Sequence, residues 1–161
     1  MKTLKFHTAT VPNSFFRAWE VIDAQAELAL TSDAFTDIDF DTLVSILSRE
    51  TLNCKETFVF QAAENWARAE CKRRSLDGKD PEKRRSVLGS ALTKVRFPAM
   101  SITDFADNVA MSGILTLQET NDMFLYFTAK QKPTNINYDS KPRKGLIVRK
   151  SFHKLNSKSG V

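Results

Sequence analysis

The sequence predicts an all-α domain, and three observations carry that prediction. Glycine and proline number only five each in 161 residues, too few chain breakers for a loop-rich sandwich or barrel. Apolar residues recur at helical spacing along most of the chain. Helix-start signals precede those stretches at regular intervals. The length is that of one domain of ordinary size. Apolar residues make up 42% and charged residues 27%, the balance of a globular chain able to bury a core.

The elements follow in order. Pro12-Asn13-Ser14 opens a periodic stretch from about Phe15 to Leu30. Ala18, Trp19, Ile22, Ala26, Ala29 and Leu30 share one face, while Val21 and Leu28 fall on the opposite side. A helix apolar on two faces is either deeply buried or lacks a neighbour. Next, Asp39 is placed to cap a short helix ending near Ser48, with Phe40, Leu43, Val44 and Leu47 as its stripe. Asp41 suits the positive end of that helix.

Asn53-Cys54-Lys55-Glu56 resembles a capping box with Asn in place of Ser or Thr. It predicts a helix to about Arg74 with the stripe Phe58, Val59, Ala62, Ala63, Trp66 and Ala69. Asp77-Gly78 breaks the chain, and Asp80-Pro81 restarts it with a cap and Pro at the first helical position. Val87, Leu88, Ala91, Leu92 and Val95 line this helix, and Phe97-Pro98 ends it. Ser101 opens a segment carrying Ile102, Phe105, Ala106 and Val109, which Gly113 stops. Thr116-Leu117-Gln118-Glu119 is the best-matched capping box, and its helix carries Leu117, Phe124, Leu125 and Phe127.

These patterns give an all-α multi-helix bundle with a disordered or truncated basic C-terminal tail. The expected organisation is an extension over 1–15, a helical domain over 16–132, and a basic linker or the start of a truncated β domain over 133–161. Asn135–Tyr138 and Leu146–Val148 are candidate short strands, isolated among polar and basic residues. The expected core anchors are Trp19, Phe35, Leu43, Leu47, Phe58, Trp66, Leu88, Leu92, Phe105 and Phe124.

Charge is uneven. Residues 129–161 hold nine basic side chains and one acid, whereas the first 128 hold 15 basic and 18 acidic ones. The net charge of +5 therefore describes a basic, solvated tail on a mildly acidic body, not the uniformly basic surface of a nucleic-acid binder. Two clusters interrupt the body: Lys72, Arg73, Arg74 and Lys83, Arg84, Arg85. Their spacing resembles a two-part nuclear import signal, and such clusters also grip phosphates. The plainer reading is a helix end and a solvated face, and Asp77, Asp80 and Glu82 between the clusters weaken any phosphate field.

The sequence carries no catalytic constellation. There is no Gly-rich phosphate loop and no Ser-His-Asp arrangement; His7 and His153 lie near opposite ends. Asp37, Asp39 and Asp41 lack the glycine and open ligand loop that calcium needs. Cys54 and Cys71, read as lying on one helix, stand about 25 Å apart along its axis, beyond disulfide reach. They make no zinc site with the two histidines. Cys54 in a first helical turn would have a lowered thiol pKa, but no base stands near it in sequence. No cofactor, metal site or enzymatic activity is expected. No run of about 20 apolar residues exists to span a membrane, and the N-terminus does not read as a secretory signal.

Several segments resemble one known family. Phe35 through Asn53 looks like the opening of a BACK domain, and Val59-Phe60-Gln61-Ala62-Ala63-Glu64-Asn65-Trp66 resembles a signature shared with BTB-kelch proteins. Val95-Arg96-Phe97-Pro98-Ala99-Met100-Ser101 matches the segment that follows. Three further pieces, Ala18–Ala26, Ser112–Asp122 and Lys141-Pro142-Arg143-Lys144-Gly145-Leu146, resemble the BTB-BACK-PHR subfamily of BTB/POZ domain-containing adaptors. The resemblance covers about 17–150.

That resemblance implies a non-enzymatic architectural module of a cullin-3-type ubiquitin-ligase substrate adaptor. In such adaptors a BTB domain binds the cullin, assisted by the helices after it, here roughly 16–48. The BACK domain fixes the BTB domain relative to a substrate-binding PHR-type domain. About 15 residues precede the matching region and the chain ends soon after Phe152-His153, where the PHR-like β domain would begin, so the expectation is a chain without its BTB domain, a fragment or a short product. Val21 and Leu28 are the candidate partner-binding residues, facing a BTB domain or a cullin. The expected location is the cytoplasm, with the nucleus added if the basic clusters direct import. The alternative is a basic helical nucleic-acid-binding or nuclear protein.

Overall fold

The computed structural model describes residues 13–145, with side chains from Arg17 onward. The described residues contain helices and turns and no strand. α1 (Asn13–Ala24) and α2 (Ala26–Thr31) replace the single helix expected over 15–30. The break is at Gln25, whose φ of −114° and ψ of 38° leave the helical region. The Asp23 carbonyl there accepts from Asn53 N at 3.0 Å, a tie to the next loop that an uninterrupted helix would not make.

A 3-10 turn (Asp33–Asp37) buries Phe35 and leads into α3 (Phe40–Leu47). Asp39 caps α3 as its position predicts, accepting from Thr42 N at 2.8 Å. The central helix is α4 (Glu56–Arg73). The capping box expected at Asn53 and Glu56 is absent: the N-cap is Lys55, without a side-chain cap. Glu56 turns inward instead, to a partner far along the chain.

α5 (Pro81–Leu88) begins with Asp80 accepting from Glu82 N at 2.9 Å. It stops earlier than the apolar pattern predicts, because Gly89 sits at φ +46°, outside any helical conformation. A 3-10 segment (Gly89–Lys94) then carries Ala91 and Leu92 inward. Residues 102–112 form one irregular helix: α6 (Ile102–Asp104), a π turn (Phe105–Val109) and a 3-10 turn (Ala110–Ser112). Gly113 at φ +71° ends it. α7 (Leu117–Thr128) has both arms of its capping box, with Glu119 N to Thr116 Oγ1 at 3.1 Å and Thr116 N to Glu119 Oε2 at 2.8 Å.

α4 is the axis of the core. Val59, Phe60, Ala62, Ala63, Trp66 and Ala67 are buried along it. The alanines let α5 and the 33–37 turn approach closely, and Trp66 fills the gap beyond, donating Nε1–H to Ile38 O at 2.8 Å. An aromatic chain continues through Phe60, Phe97 and Phe105, with centroids 5.7 and 6.3 Å apart, to Phe124 at 5.4 Å. Of the expected anchors, Phe35, Leu43, Leu47, Trp66, Leu88, Leu92 and Phe105 are buried. Trp19, Phe58 and Phe124 are partly buried and pack against them.

Some stripe residues lie outside. Leu117 is 91% exposed and Leu125 43%. α7 packs on the Phe97–Ala99 turn and on Phe105 through Met123, Phe124 and Phe127, so its first turn overhangs the body. Ile102, at the start of its segment, is also exposed.

The segment after Pro133 departs from the solvated linker that its charge suggested. Asn135–Tyr138 is not a strand, and Leu146–Val148 lies outside the described residues. Over 133–145 the chain returns across the bundle as a strap. Tyr138 stacks edge-on against Phe97 at 4.7 Å, and its hydroxyl donates to Glu119 Oε1 at 3.3 Å. Lys144 N donates to Glu50 O at 2.7 Å. Arg143, counted among the tail's solvated cations, is completely buried.

Candidate functional site

Among the described residues, no group of three or more His, Cys, Asp or Glu could hold a metal. Asp37, Asp39 and Asp41 do not converge; Asp39 is spent on its cap. Cys54 lies before α4, not in its first turn. Burial, reinforced by the Glu56 carboxylate, pushes its thiol pKa up to about 12, so the activation expected from a helix N-terminus does not arise. Cys71 is buried too, near the other end of α4.

The basic clusters are not two equal patches. Arg84 is 4% exposed. It faces Glu64 across a 2.9 Å ion pair and donates to the carbonyls of Gly78, Lys79 and Ser112 at 2.7–3.0 Å. Arg85 grips Glu119 with two bonds of 2.6 and 2.9 Å and also reaches Ile114 O. These bonds hold α5 to α7 and to the loop before it, and they correct the plainer reading of Lys83-Arg84-Arg85 as a solvated face, since Arg84 is buried and Arg85 is paired. Arg73 and Arg74 share Glu70 at 2.6 and 2.7 Å. Lys72 and Lys83 are exposed.

The sequence-predicted partner face is the outer side of α1 and α2, and it is exposed. Val21 is 57% exposed and Leu28 69%. They flank the break at Gln25, where a depression of about 310 Å³ is lined by Ala24, Gln25, Ala26, Glu27, Leu28 and Asn53. The inner side of the same helices is anchored. Asp23 accepts Arg49 Nε at 2.8 Å, Arg49 Nη2 at 2.7 Å and Thr51 Oγ1 at 2.6 Å. Arg49 also stacks over the Trp19 ring at 4.5 Å. Burial alone would raise the Asp23 pKa, but the bonds from Arg49 and Thr51 outweigh it and carry the carboxyl below its usual range. The apolar pair is thus presented on helices fixed to the body, not on a loose arm.

Sequence reasoning missed the second anchoring site, where the strap is locked. Arg143 fills a slot between α3 and α4. Its Nε makes a short bond to Glu56 Oε1, and Nη2 reaches Glu56 Oε2 and Lys94 O at 3.3 and 3.1 Å. Nη1 donates to the carbonyls of Leu47 and Arg49 at 2.8 and 2.6 Å. Beside it, Arg96 Nη1 donates to Lys141 O and Nη2 to Glu50 Oε1, both at 2.9 Å. The sequence offered only the family-like segment Lys141-Pro142-Arg143-Lys144-Gly145-Leu146, which does not identify Glu56 as the partner of Arg143. Arg49 belongs to both sites, since its side chain holds α1 and its carbonyl holds the strap.

The family model for BACK, described as "BTB And C-terminal Kelch", matches residues 13–110. BTB/POZ domain-containing protein 3 of Mus musculus is 55% identical over 146 residues, which is 91% of this chain and 27% of that protein. The Homo sapiens protein of the same name gives the same identity and coverage. BTB/POZ domain-containing protein 6-B of Danio rerio is 51% identical over 146 residues, 91% of this chain and 30% of that protein. The chain therefore spans about a quarter to a third of the length of these relatives. No solved structure matches it. A helical core built on α4, matched by the family model over 13–110, makes this chain a member of the BACK family.

Proposed function

We propose that the chain is a non-enzymatic architectural module of a cullin-3-type ubiquitin-ligase substrate adaptor, joining a BTB domain to a substrate-binding domain. Its relatives carry BTB/POZ in their names. The observation that carries the reading is the pairing of an exposed apolar face with a rigid anchor behind it. Val21 and Leu28 point outward while Asp23, Arg49 and Thr51 lock α1 to the body and buried Ala26 and Leu30 seat α2. Such a face suits a neighbour that must be held at a fixed angle, here a BTB domain or the cullin beside it.

At the other end, the strap brings Gly145 against Thr51, and a substrate-binding domain would follow further along the chain. The module then sets the geometry between its neighbours, and ubiquitin transfer is performed by other proteins. The location proposed with this role is the cytoplasm, with the nucleus added if the basic clusters direct import; two free, buried thiols accord with a reducing compartment. The nucleic-acid reading loses support because Arg84 is buried and Arg85 is paired with Glu119.

The test mixes the chain with the separate BTB domain of BTB/POZ domain-containing protein 3 and, in a second arm, with the cullin-3 amino-terminal domain. Binding is read by calorimetry. A complex that is lost in the double variant Val21→Asp, Leu28→Asp supports the reading and identifies the neighbour. A complex indifferent to that variant, or none in either arm, refutes the docking face.

A further inference from the structure

Lys72-Arg73-Arg74-Ser75-Leu76 and Lys83-Arg84-Arg85-Ser86-Val87 are the same pentapeptide apart from the last aliphatic residue. Each places basic residues three and two positions before a serine and an apolar residue directly after it. A basophilic serine kinase reads this chemistry: carboxylates in its peptide groove pair with the two upstream cations, and an apolar pocket takes the residue after the hydroxyl. The substrate must lie extended to be read. We propose that Ser75, and not Ser86, is a phosphate-acceptor site for a kinase of this class.

The two copies differ in their surroundings. Ser86 lies within α5, preceded by buried Arg84 and followed by buried Val87. Extending that stretch would break the Arg84 bonds to Gly78, Lys79 and Ser112, its ion pair with Glu64, and the Arg85–Glu119 pair. Ser75 lies just past the end of α4, and Lys72, Arg73, Arg74, Ser75 and Leu76 are all exposed. It closes the helix with Ser75 N on Lys72 O at 3.2 Å and Leu76 N on Cys71 O at 2.8 Å. Ser75 holds φ +58° there, a position glycine normally fills. A strained residue at a helix end lets the last turn open ahead of the body. The turn is held shut by exposed contacts: Glu70 on Arg73 and Arg74, and Arg73 Nη1 on Thr36 O at 2.7 Å.

In the reaction, Ser75 Oγ attacks the γ-phosphorus of kinase-bound magnesium ATP, and its proton passes to the kinase's catalytic carboxylate. The bond from that phosphorus to the bridging oxygen breaks, and ADP leaves. The phosphoserine dianion then lies among Lys72, Arg73 and Arg74 and competes with Glu70 for them.

The full chain is incubated with magnesium ATP and the catalytic subunit of cAMP-dependent protein kinase, and sites are mapped by mass spectrometry. Peptides of residues 70–79 and 81–90 are run in parallel. Both peptides are expected to be labelled at comparable rates. In the folded chain Ser75 should be labelled at least about tenfold faster than Ser86, reflecting the buried pairs that hold α5. Ser75→Ala should remove the label from the 70–79 segment of the full chain and leave the slow labelling of Ser86 unchanged, and Glu70→Gln should raise the rate at Ser75 several-fold. An unlabelled folded chain, equal labelling of the two serines in it, or an unlabelled 70–79 peptide overturns the proposal.

Discussion

Arg143 is bonded to Glu56 across 87 residues of chain, and neither side chain reaches solvent appreciably: they are 0% and 3% exposed. The guanidinium also holds carbonyls from Leu47, Arg49 and Lys94, so one side chain joins the end of α3, the loop after it and the segment after Leu92. A charge in such a slot is tolerable only while its partner is present. Glu56→Ala strands the buried cation and is expected to cost about 3–5 kcal/mol. Arg143→Met removes the charge with it, and the double variant should regain part of the loss. Urea unfolding of the three variants measures this. Limited trypsin digestion at Lys141 and Lys144 shows whether the strap lifts first; additive losses would mean that the two residues are not coupled.

Gly145 sets the far end of the strap. A Cβ there would clash with Thr51 O and stand 3.0 Å from Leu52 O, and backbone atoms cannot swing aside as a side chain would. Gly145→Ala should therefore break the Lys144 N to Glu50 O bond and destabilise by about 1–3 kcal/mol. Gly78→Ala serves as the control, since its Cβ would come no closer than 3.4 Å to Arg68 O. Equal melting temperatures for the two variants would show that the strap does not seat as described.

Val21 and Leu28 separate binding from folding. Both are exposed, so Val21→Asp with Leu28→Asp should shift stability by no more than about 0.5 kcal/mol each. Leu47→Ala, at 0% exposure, should cost about 2–5 kcal/mol. Thermal melts of the isolated chain decide this, and a loss of several kcal/mol in the aspartate pair would place these residues in the core.

The sequence was legible wherever a local signal and the tertiary environment agreed. Asp39, Asp80, Ser101 and the Thr116–Glu119 box all start helices because a cap needs only its own next turn. Asn53 and Glu56 carry the same letters but fail, because a distant arginine takes the glutamate. Residues 133–145 misled for a related reason: a charge count treats Arg143 as solvated, and only the fold brings Glu56 to it. The exposed side of α1 and α2 was readable from Val21 and Leu28 at a spacing of seven, although the break between the two helices was not. Its anchor was not, since Asp23, Arg49 and Thr51 are apart in sequence and joined only by the turn of the chain.

Glu119 links α7 to α5 through Arg85, and its pKa is lowered to about 2 by the Arg85 hydrogen bonds, with the Thr116 backbone adding to them. A carboxylate depressed in the folded state contributes stability that is complete above its unfolded pKa, about 4.3. That contribution is lost as pH falls from there toward 2. Arg85 is 38% exposed, and screening reduces the effect to about 1–2 kcal/mol. Stability curves of the native chain and of Glu119→Gln should differ near neutrality and converge as pH falls through that window. A constant gap down to the acid end would assign the loss to packing and not to charge.

Cys54 provides a probe of the body beneath the strap. Its thiol is 0% exposed, and burial with the Glu56 carboxylate holds its pKa at about 12. At pH 8 both the thiolate fraction and the access of a reagent are therefore suppressed. Cys71 is equally buried, and burial raises its pKa as well. Iodoacetamide should leave the native chain unmodified while modifying both thiols in urea. In Arg143→Met, loosening near Glu56 should accelerate alkylation of Cys54 and leave Cys71, at the opposite end of α4, near its native rate. Equal acceleration at the two sites would mean that loss of the clamp unfolds the whole bundle and not the strap alone.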